Sequence, residues 1–277
     1  MPELPEVESL RELLADSVVG RTLRGATVKE ARLRRSVSIE LASLIAGRTI
    51  RAVSRRAKYL LIEMADEQVM LVHLGMSGSL THRGDGFEPG AFDPRHDHIE
   101  FQFDDGSLLV YNDPRRFGLI KLVRRAELNN IAELKYLGPE PLGPEFTTGY
   151  LWKTSRKRTG AIKNLLMDQR IVAGIGNIYA SEILFRAGVR PTRRAGKITR
   201  DEAVRIVTAT QKVLRAAIGH RGTTFRSYRD SRGQPGKFAR LLRVYDREGK
   251  PCLKCNTPIR AIVLGQRSSY YCPRCQK

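Results

Sequence analysis

The sequence predicts an α+β protein in three parts: an N-terminal β-sandwich flanked by helices, a helical domain, and a C-terminal four-cysteine zinc finger. Three observations carry this. Short alternating or β-branched runs crowd between Thr22 and Val123, helical periodicity takes over beyond residue 150, and all four cysteines lie between 252 and 275. A length of 277 residues accommodates two core-bearing domains, or one with a small appendage, and an apolar share of 41% excludes wholesale disorder.

A first helix is expected over Pro5–Ala15, because Leu4, Val7, Leu10, Leu13 and Leu14 share a face. Strands follow at Thr22–Val28, Ile50–Arg55, Tyr59–Met64, Gln68–His73, His98–Phe103, Leu108–Tyr111 and Leu119–Val123. Turn chemistry separates several of them, notably Gly84-Asp85-Gly86 and Asp104-Asp105-Gly106, and that punctuation suits a two-sheet sandwich. Gly138–Gly149 (GPEPLGPEFTTG) is rich in Pro and Gly and marks a domain boundary. Helices are then expected over Gly160–Asp168, Asn177–Ala187 and Thr199–Ile218, the last with a capping box between Thr199 and Glu202. His220–Lys237 reads as a long polar loop, of a kind that is usually functional or disordered. The expected division is 1–137 for the sandwich, 138–150 for a linker, 151–240 for the helical domain with its loop, and 241–277 for the finger.

Charge narrows the function. Lys and Arg number 49 against 29 Asp and Glu, a net +20 spread from Arg21 to Arg274. Such a chain reads as a polyanion binder. A membrane is the competing polyanion, but there is no run of about 18 apolar residues and no lipidation signal. The acidic, proline-bearing start is unlike a secretory signal, so a soluble cytoplasmic protein is expected.

Cys252-x2-Cys255 and Cys272-x2-Cys275, sixteen residues apart, have the spacing of a four-thiolate zinc site, with redox disulfides as the alternative. One Zn2+ held by Cys252, Cys255, Cys272 and Cys275 has no open position, so its role is structural, and it supplies folding energy to a module with almost no core. The residues between the pairs suit a hairpin turning near Gly265, with Arg267 at its tip within reach of phosphate or a base edge.

The opening Met1-Pro2-Glu3-Leu4-Pro5-Glu6 has two readings. Loss of Met1 leaves Pro2 with a free secondary amine, partly neutral near pH 7 at an ordinary α-amino pKa of about 7.7–8.0. Such a nitrogen attacks an electrophilic sugar carbon to form an iminium, with Glu3 moving protons beside it. Alternatively the prolines lead into a helix, with Pro5 at its first position and Glu6 and Glu8 at the positive end of its dipole. Other segments also keep two readings. In Asp168–Arg186 a turn at Gly174 and Gly176 joins two helices, with Asn177 as cap over amides that hold a phosphate, or as part of a plain αα-hairpin. Asn112–Gly118 carries Arg115, Arg116 and Phe117 at a tip suited to wedging a base stack, or at an ordinary exposed turn. Met76 in Leu74–Gly78 is a wedge or a filler. His82 reads as a loop residue, His73 as a hydrogen-bonded structural residue, and the histidines as no second metal site.

Six ordered motifs resemble the formamidopyrimidine-DNA glycosylase family across essentially the whole chain. They are MPELPEVE at the start, RRAKYLL at Arg55–Leu61, HLGMSG at His73–Gly78, NDPRRFG at Asn112–Gly118, GIGNIYASE at Gly174–Glu182, and the terminal finger. The resemblance implies a β-sandwich, a helix–two-turn–helix domain and a zinc finger, with DNA crossing between them. It implies removal of oxidised purines and cleavage of the strand by successive eliminations. Pro2 then attacks C1′ as nucleophile, Glu3 is the general acid/base, and Lys58 joins them at the flipped nucleotide, while Glu6 shapes the base pocket. Lys163, Asn177 and Arg267 match positions that hold the backbone. Met76, Arg115 and Phe117 match inserting side chains, and His73 is counted with the DNA-binding residues. The expected partner is double-stranded DNA carrying oxidised purines or abasic sites, met by a monomer and not by a membrane-bound protein. One departure stands out: Arg221 precedes Gly222 where relatives usually pair two glycines before Thr223-Thr224.

Two rivals remain. The sister glycosylases of oxidised pyrimidines typically carry Gly at the position of Leu4 and lack the DPRRFG tip. A non-catalytic zinc-ribbon DNA-binding protein leaves Pro2, Glu3 and Lys58 unexplained.

Overall fold

Helix α1 (Leu4–Val18) starts among prolines because a helix needs no amide donors in its first turn. Glu3 is its N-cap, so Pro5 occupies the second helical position and not the expected first. The helix runs a turn beyond Ala15 because Val18, fully buried, continues the apolar spacing of Leu10 and Leu14. This is a computed structural model, and it describes residues 2–38, 40–84, 87, 90, 92–224 and 229–277. The expected turn at Asp85-Gly86, the loss of Met1, and residues 225–228 of the long loop lie outside the described residues.

The strands that follow are β1 (Leu23–Val28), then, after the short helix α2 (Leu41–Ile45), β2 (Ile50–Arg56), β3 (Tyr59–Met64), β4 (Gln68–His73), β5 (Ser79–Arg83), β6 (Asp97–Phe103), β7 (Leu108–Asn112) and β8 (Leu119–Arg124). They form two antiparallel four-stranded sheets, ordered β1-β6-β7-β5 and β2-β3-β4-β8. One core, including Leu10 and Leu14 of α1, Leu60 and Ile62 of β3, Val72 of β4 and Phe101 of β6, joins the sheets and the helix.

Strand β5 is absent from the expected set, and His82 is corrected with it. Ser79-Leu80-Thr81-His82-Arg83 lacks a clean alternation, yet four of its five residues are buried where it pairs with β7. The His82 ring lies 5.9 Å from Phe103, and its Nε2 lies 3.0 Å from the Ser107 hydroxyl. Polar partners inside the fold, which composition does not announce, let this strand be buried.

The second compact unit spans residues 136–217 and 240–277, while 218–239 belongs with residues 1–135. Its helices are α3 (Thr148–Ser155), α4 (Ile162–Met167), α5 (Asn177–Ala187) and α6 (Arg200–Gly219), and its hairpin is β9 (Arg260–Leu264) with β10 (Arg267–Tyr271). The capping box of α6 is present, with Glu202 N donating to Thr199 Oγ1 at 3.1 Å and Thr199 N to Glu202 Oε2 at 2.7 Å.

Two boundaries differ from the expectation. The 138–150 stretch is packed chain: Gly138 N donates to Gln169 O (2.8 Å) and Ala173 N to Pro139 O (3.0 Å). Gly138 lies so close to the Ile171 backbone that a β-carbon there would collide with it. The loop after α6, assigned from the sequence to the helical domain, is bonded to the first unit through Glu6 and His82, as described below.

Candidate active site and zinc centre

The N-terminus of α1 gathers the first group. Pro2, Glu3 and Glu6 are buried, Glu3 to 2% exposure and Glu6 to 1%. Glu6 Oε2 accepts from Glu3 N at 2.8 Å, and Oε1 accepts from Thr223 N at 2.7 Å. One carboxylate therefore fixes both the residue after Pro2 and the base of the 220–237 loop. Gly222 makes this approach possible: with φ of +74°, it sits where a β-carbon would fall 2.7 Å from Glu6 Oε1.

Lys58 occupies the two-residue turn between β2 and β3 and is 6% exposed. Arg55 ties that turn to α1, donating to Glu8 Oε2 at 2.6 Å and to Ala57 O at 2.9 Å. His73, paired with Tyr59 across β3 and β4, packs its ring against the Tyr59 ring at 4.8 Å, tilted by 48°. Gly75 N donates to His73 Nδ1 at 3.0 Å, so the neutral ring carries its proton on Nε2. Burial, reinforced by the charges of Lys58 and Arg34, pulls the His73 pKa down to about 4. The reading of His73 as a hydrogen-bonded structural residue is met here, through Nδ1.

A pH dependence follows. A histidine whose folded pKa lies near 4, against an ordinary 6.5, contributes no penalty above about pH 6.5. Stability then falls as pH drops from 6.5 towards 4, because the unfolded chain takes the proton first. Denaturant midpoints at pH 7.5 and 5 should show this loss, and His73→Gln should shrink it. An undiminished loss in the variant assigns the effect elsewhere.

Two tips form the next group, and Asp113 organises both. Its carboxylate is fully buried and accepts from Ser77 Oγ (2.7 Å), Tyr111 OH (3.1 Å), Arg115 N (3.2 Å) and Gly118 N (2.9 Å). Burial and the neighbouring Asp113 charge push the Tyr111 pKa far up, so its hydroxyl remains a donor. Gly75, at φ +63°, lies against the Phe117 backbone, and Gly118 lies against the Tyr111 ring, so neither admits a side chain. On this packed base, Met76 and Phe117 stand 41% and 46% exposed, with the Arg115 guanidinium 4.8 Å over the Phe117 ring. Sequence reading missed Asp113, whose one signal is a carboxylate just before Pro in a turn. Asp113→Ala should lower unfolding stability by about 3 kcal/mol, since it strands several buried donors. A denaturant titration showing under about 1 kcal/mol would remove Asp113 from this role.

In the second unit, Lys163 is fully buried, and its ammonium donates to Asn177 Oδ1 (2.5 Å), Ser268 O (3.1 Å) and Ser269 Oγ (2.6 Å). Lys163 thereby joins α4, α5 and β10. The reading of Asn177 as a helix cap is corrected. Gly176 is the N-cap of α5, and Asn177 is the first helical residue, its Nδ2 donating to Ser268 O at 3.0 Å. The β9–β10 turn is Gly265-Gln266, with φ of +54° and +60°, the left-handed pair that a tight hairpin prefers. Arg267 opens β10, exposed, beside the Ser268 carbonyl that Lys163 and Asn177 share. Glu182 was also missed as a functional support: buried in α5, it accepts from the amides of Arg243, Val244 and Tyr245 at 2.9–3.1 Å, anchoring the lead into the finger.

The four cysteine sulfurs lie within 4.8 Å of one another, with separations of 3.4, 3.5 and 3.9 Å among them. A tetrahedron with Zn–S bonds of about 2.3 Å has edges of about 3.8 Å, so the donor set fits structural zinc. Lys254 N donates to Cys252 Sγ and Cys275 N to Cys272 Sγ, each at 3.4 Å. Cys252 and Cys272, with Val244 and Ile259, are the finger's whole buried cluster.

Three family profiles match in order: a formamidopyrimidine-DNA glycosylase N-terminal domain over residues 1–120, its H2TH domain over 137–229, and a zinc finger found in FPG and IleRS over 249–277. Fold and site thus define a DNA glycosylase with a helix–two-turn–helix domain and a zinc finger. The formamidopyrimidine-DNA glycosylase of Thioalkalivibrio sulfidiphilus is 47% identical over 277 residues, covering 100% of both chains. The MutM (Fpg) protein from Thermus thermophilus matches in structure at TM-score 0.87 and 39% identity, over 99% of this chain and 98% of that one. A Lactococcus lactis Fpg variant solved with Fapy-dG-containing DNA matches at TM-score 0.90 and 31% identity, over 100% of both chains, and other complexes of the L. lactis protein hold abasic or oxidised-pyrimidine DNA. The chain belongs to the formamidopyrimidine-DNA glycosylase family.

Proposed function

We propose that this protein excises oxidised purines from duplex DNA and then cleaves the abasic strand, with the Pro2 nitrogen as nucleophile. The observation that carries the reading is the Glu6 carboxylate, which holds the Glu3 amide and the Thr223 amide together and so places the Pro2-Glu3 pair at the base of a loop. The Pro2 nitrogen bonds to C1′ as the bond from C1′ to the base breaks, and the departing base takes a proton. Glu3 supplies the proton that opens the sugar ring. The resulting iminium draws electrons from C2′, whose proton leaves as the 3′ phosphate is expelled, and a second elimination expels the 5′ phosphate. Covalent catalysis of this kind divides one hard displacement into easier steps.

Extruding the base costs a few kcal/mol of unstacking and unpairing. Met76, Phe117 and Arg115, held on the Asp113 base, occupy the vacated stack. Lys58, His73, Asn177 and Arg267 hold backbone phosphates, and Lys163 acts by positioning Asn177. Cys252, Cys255, Cys272 and Cys275 hold one zinc ion, whose contribution is structural. The working division is a catalytic sandwich over 1–137, a packed connector over 138–150, a DNA-binding helical domain over 151–240 whose lesion loop, within 218–239, packs with the sandwich unit, and the finger over 241–277. The protein works as a monomer on chromosomal DNA in the cytoplasm. No helix among the described residues is long and apolar enough to cross a membrane.

Because a relative is solved with oxidised-pyrimidine DNA, binding does not separate the lesion classes, and excision must be read. Borohydride should trap a covalent adduct with a duplex carrying 8-oxoguanine opposite cytosine. Single-turnover release of 8-oxoguanine should outpace that of thymine glycol by about tenfold or more. Faster release of thymine glycol overturns the purine assignment.

A further inference from the structure

We propose that Arg221 is a positioning residue: through Asp230 it latches the 230–234 turn onto the neck of the loop whose base touches Glu6. The inference deepens the glycosylase reading and rests on it for its effect on excision.

The neck is closed by backbone bonds. Lys237 N donates to His220 O at 2.9 Å, Phe238 N donates to Gly222 O at 3.0 Å, and Thr223 bridges Lys237. Gly236 packs against the carbonyls of Arg221 and Gly222, and its amide donates to Thr224 Oγ1 at 2.8 Å. Within this neck Arg221 holds φ of +57°, next to Gly222 at +74°. A residue with a β-carbon is disfavoured there, and a favourable side-chain contact offsets part of that cost.

Asp230 makes that contact. It is 1% exposed, and its Oδ1 accepts from Arg232 N (3.0 Å) and Gln234 N (2.9 Å), closing the turn. Its Oδ2 is buried and takes no hydrogen bond among the described residues, and the Arg221 Nη1 stands 3.5 Å from it. A buried carboxylate oxygen without a donor is costly, and this guanidinium supplies the opposite charge. The same turn is tied to β5, where His82 N donates to Ser231 O at 3.2 Å. Neck, turn and sheet are thereby fastened together around Thr223, the residue that holds Glu6.

A loop held in place before the lesion arrives loses less freedom on capturing a base. Arg221 is 49% exposed, so the latch is partly screened, and its loss should slow excision by about two- to fivefold. Cleavage of a preformed abasic site, which has no base to capture, should keep its rate.

The test uses the zinc-loaded full-length protein with Arg221→Gly, Arg221→Lys, Asp230→Asn, and the Arg221→Gly/Asp230→Asn double variant. Asparagine retains an oxygen for the 232 and 234 amides, so the turn survives. Single-turnover 8-oxoguanine excision, abasic-site cleavage and amide exchange over 229–238 are read together. The latch predicts slower excision in both Gly and Asn variants, a double variant no slower than either, and recovery in Arg221→Lys. Exchange at 232–234 should quicken in Arg221→Gly although glycine relieves the backbone and leaves the melting temperature undiminished. Near 1 M salt, where the Debye length is about 3 Å, that exchange difference should narrow. Unchanged exchange and excision in Arg221→Gly, or additive losses in the double variant, overturn the latch. A wild-type protein that excises nothing rejects the glycosylase reading instead, and exchange alone then decides the latch.

Discussion

Retaining Met1 ahead of Pro2 should abolish borohydride trapping and strand cleavage, while Pro2→Gly should reduce both by on the order of a hundredfold or more. An amide nitrogen at position 2 has no lone pair available for attack, which makes the blocked chain the stricter test. Glycine keeps an amine, but a primary one. Its imine must gain a proton to become an electron sink, whereas the proline adduct is cationic as soon as it forms. Duplex binding should survive both changes, because it draws on the basic surface and the finger. The measurement is a gel-shifted covalent adduct, beside product release, on protein whose first residue is verified by mass. Undiminished trapping in the blocked form assigns the nucleophile to another amine, with Lys58, in a turn that Arg55 ties to α1, the first to test.

Removing zinc should cost DNA affinity on the order of a thousandfold, the span that separates specific from non-specific binding. The finger has one small buried cluster, half of it cysteine, so thiolate–metal bonds are its principal source of folding energy. Its hairpin also supplies the Ser268 carbonyl and Ser269 hydroxyl that accept from Lys163 and Asn177. Unfolding the finger therefore removes two of the three acceptors of a fully buried ammonium and loosens Asn177 and Arg267 together. Anisotropy with labelled duplex, before and after chelation and zinc return, measures the loss. Near-constant far-UV dichroism is expected, since the sandwich carries its own core. Affinity that survives chelation contradicts the structural role of the finger.

Reading the chain in one dimension succeeded where a local rule was sufficient. The capping box of α6, the hairpin turn at Gly265 and the CxxC pairs depend on neighbours a few residues apart, and all three are present. Reading failed where burial depended on partners far along the chain. Strand β5 looks polar, yet Ser107 and Phe103 complete its environment. Asn177 looks like a helix cap, but the Lys163 ammonium and the Ser268 carbonyl hold its amide. The 138–150 stretch looks like a free linker because Pro and Gly dominate it, whereas Gly138 is there to admit the Ile171 backbone.

Residue order alone was enough for the family, the sandwich-helix-finger succession, the thiolate quartet and the candidate nucleophile, because each rests on chemistry carried within short motifs. Folding in three dimensions assigned the supporting cast: Glu6 between two amides, Asp113 beneath two tips, Lys163 among Asn177, Ser268 and Ser269, and Arg221 facing Asp230. The first three depend on low-dielectric contacts between segments up to 217 residues apart, and a buried charge takes its meaning from the donors or acceptors that surround it.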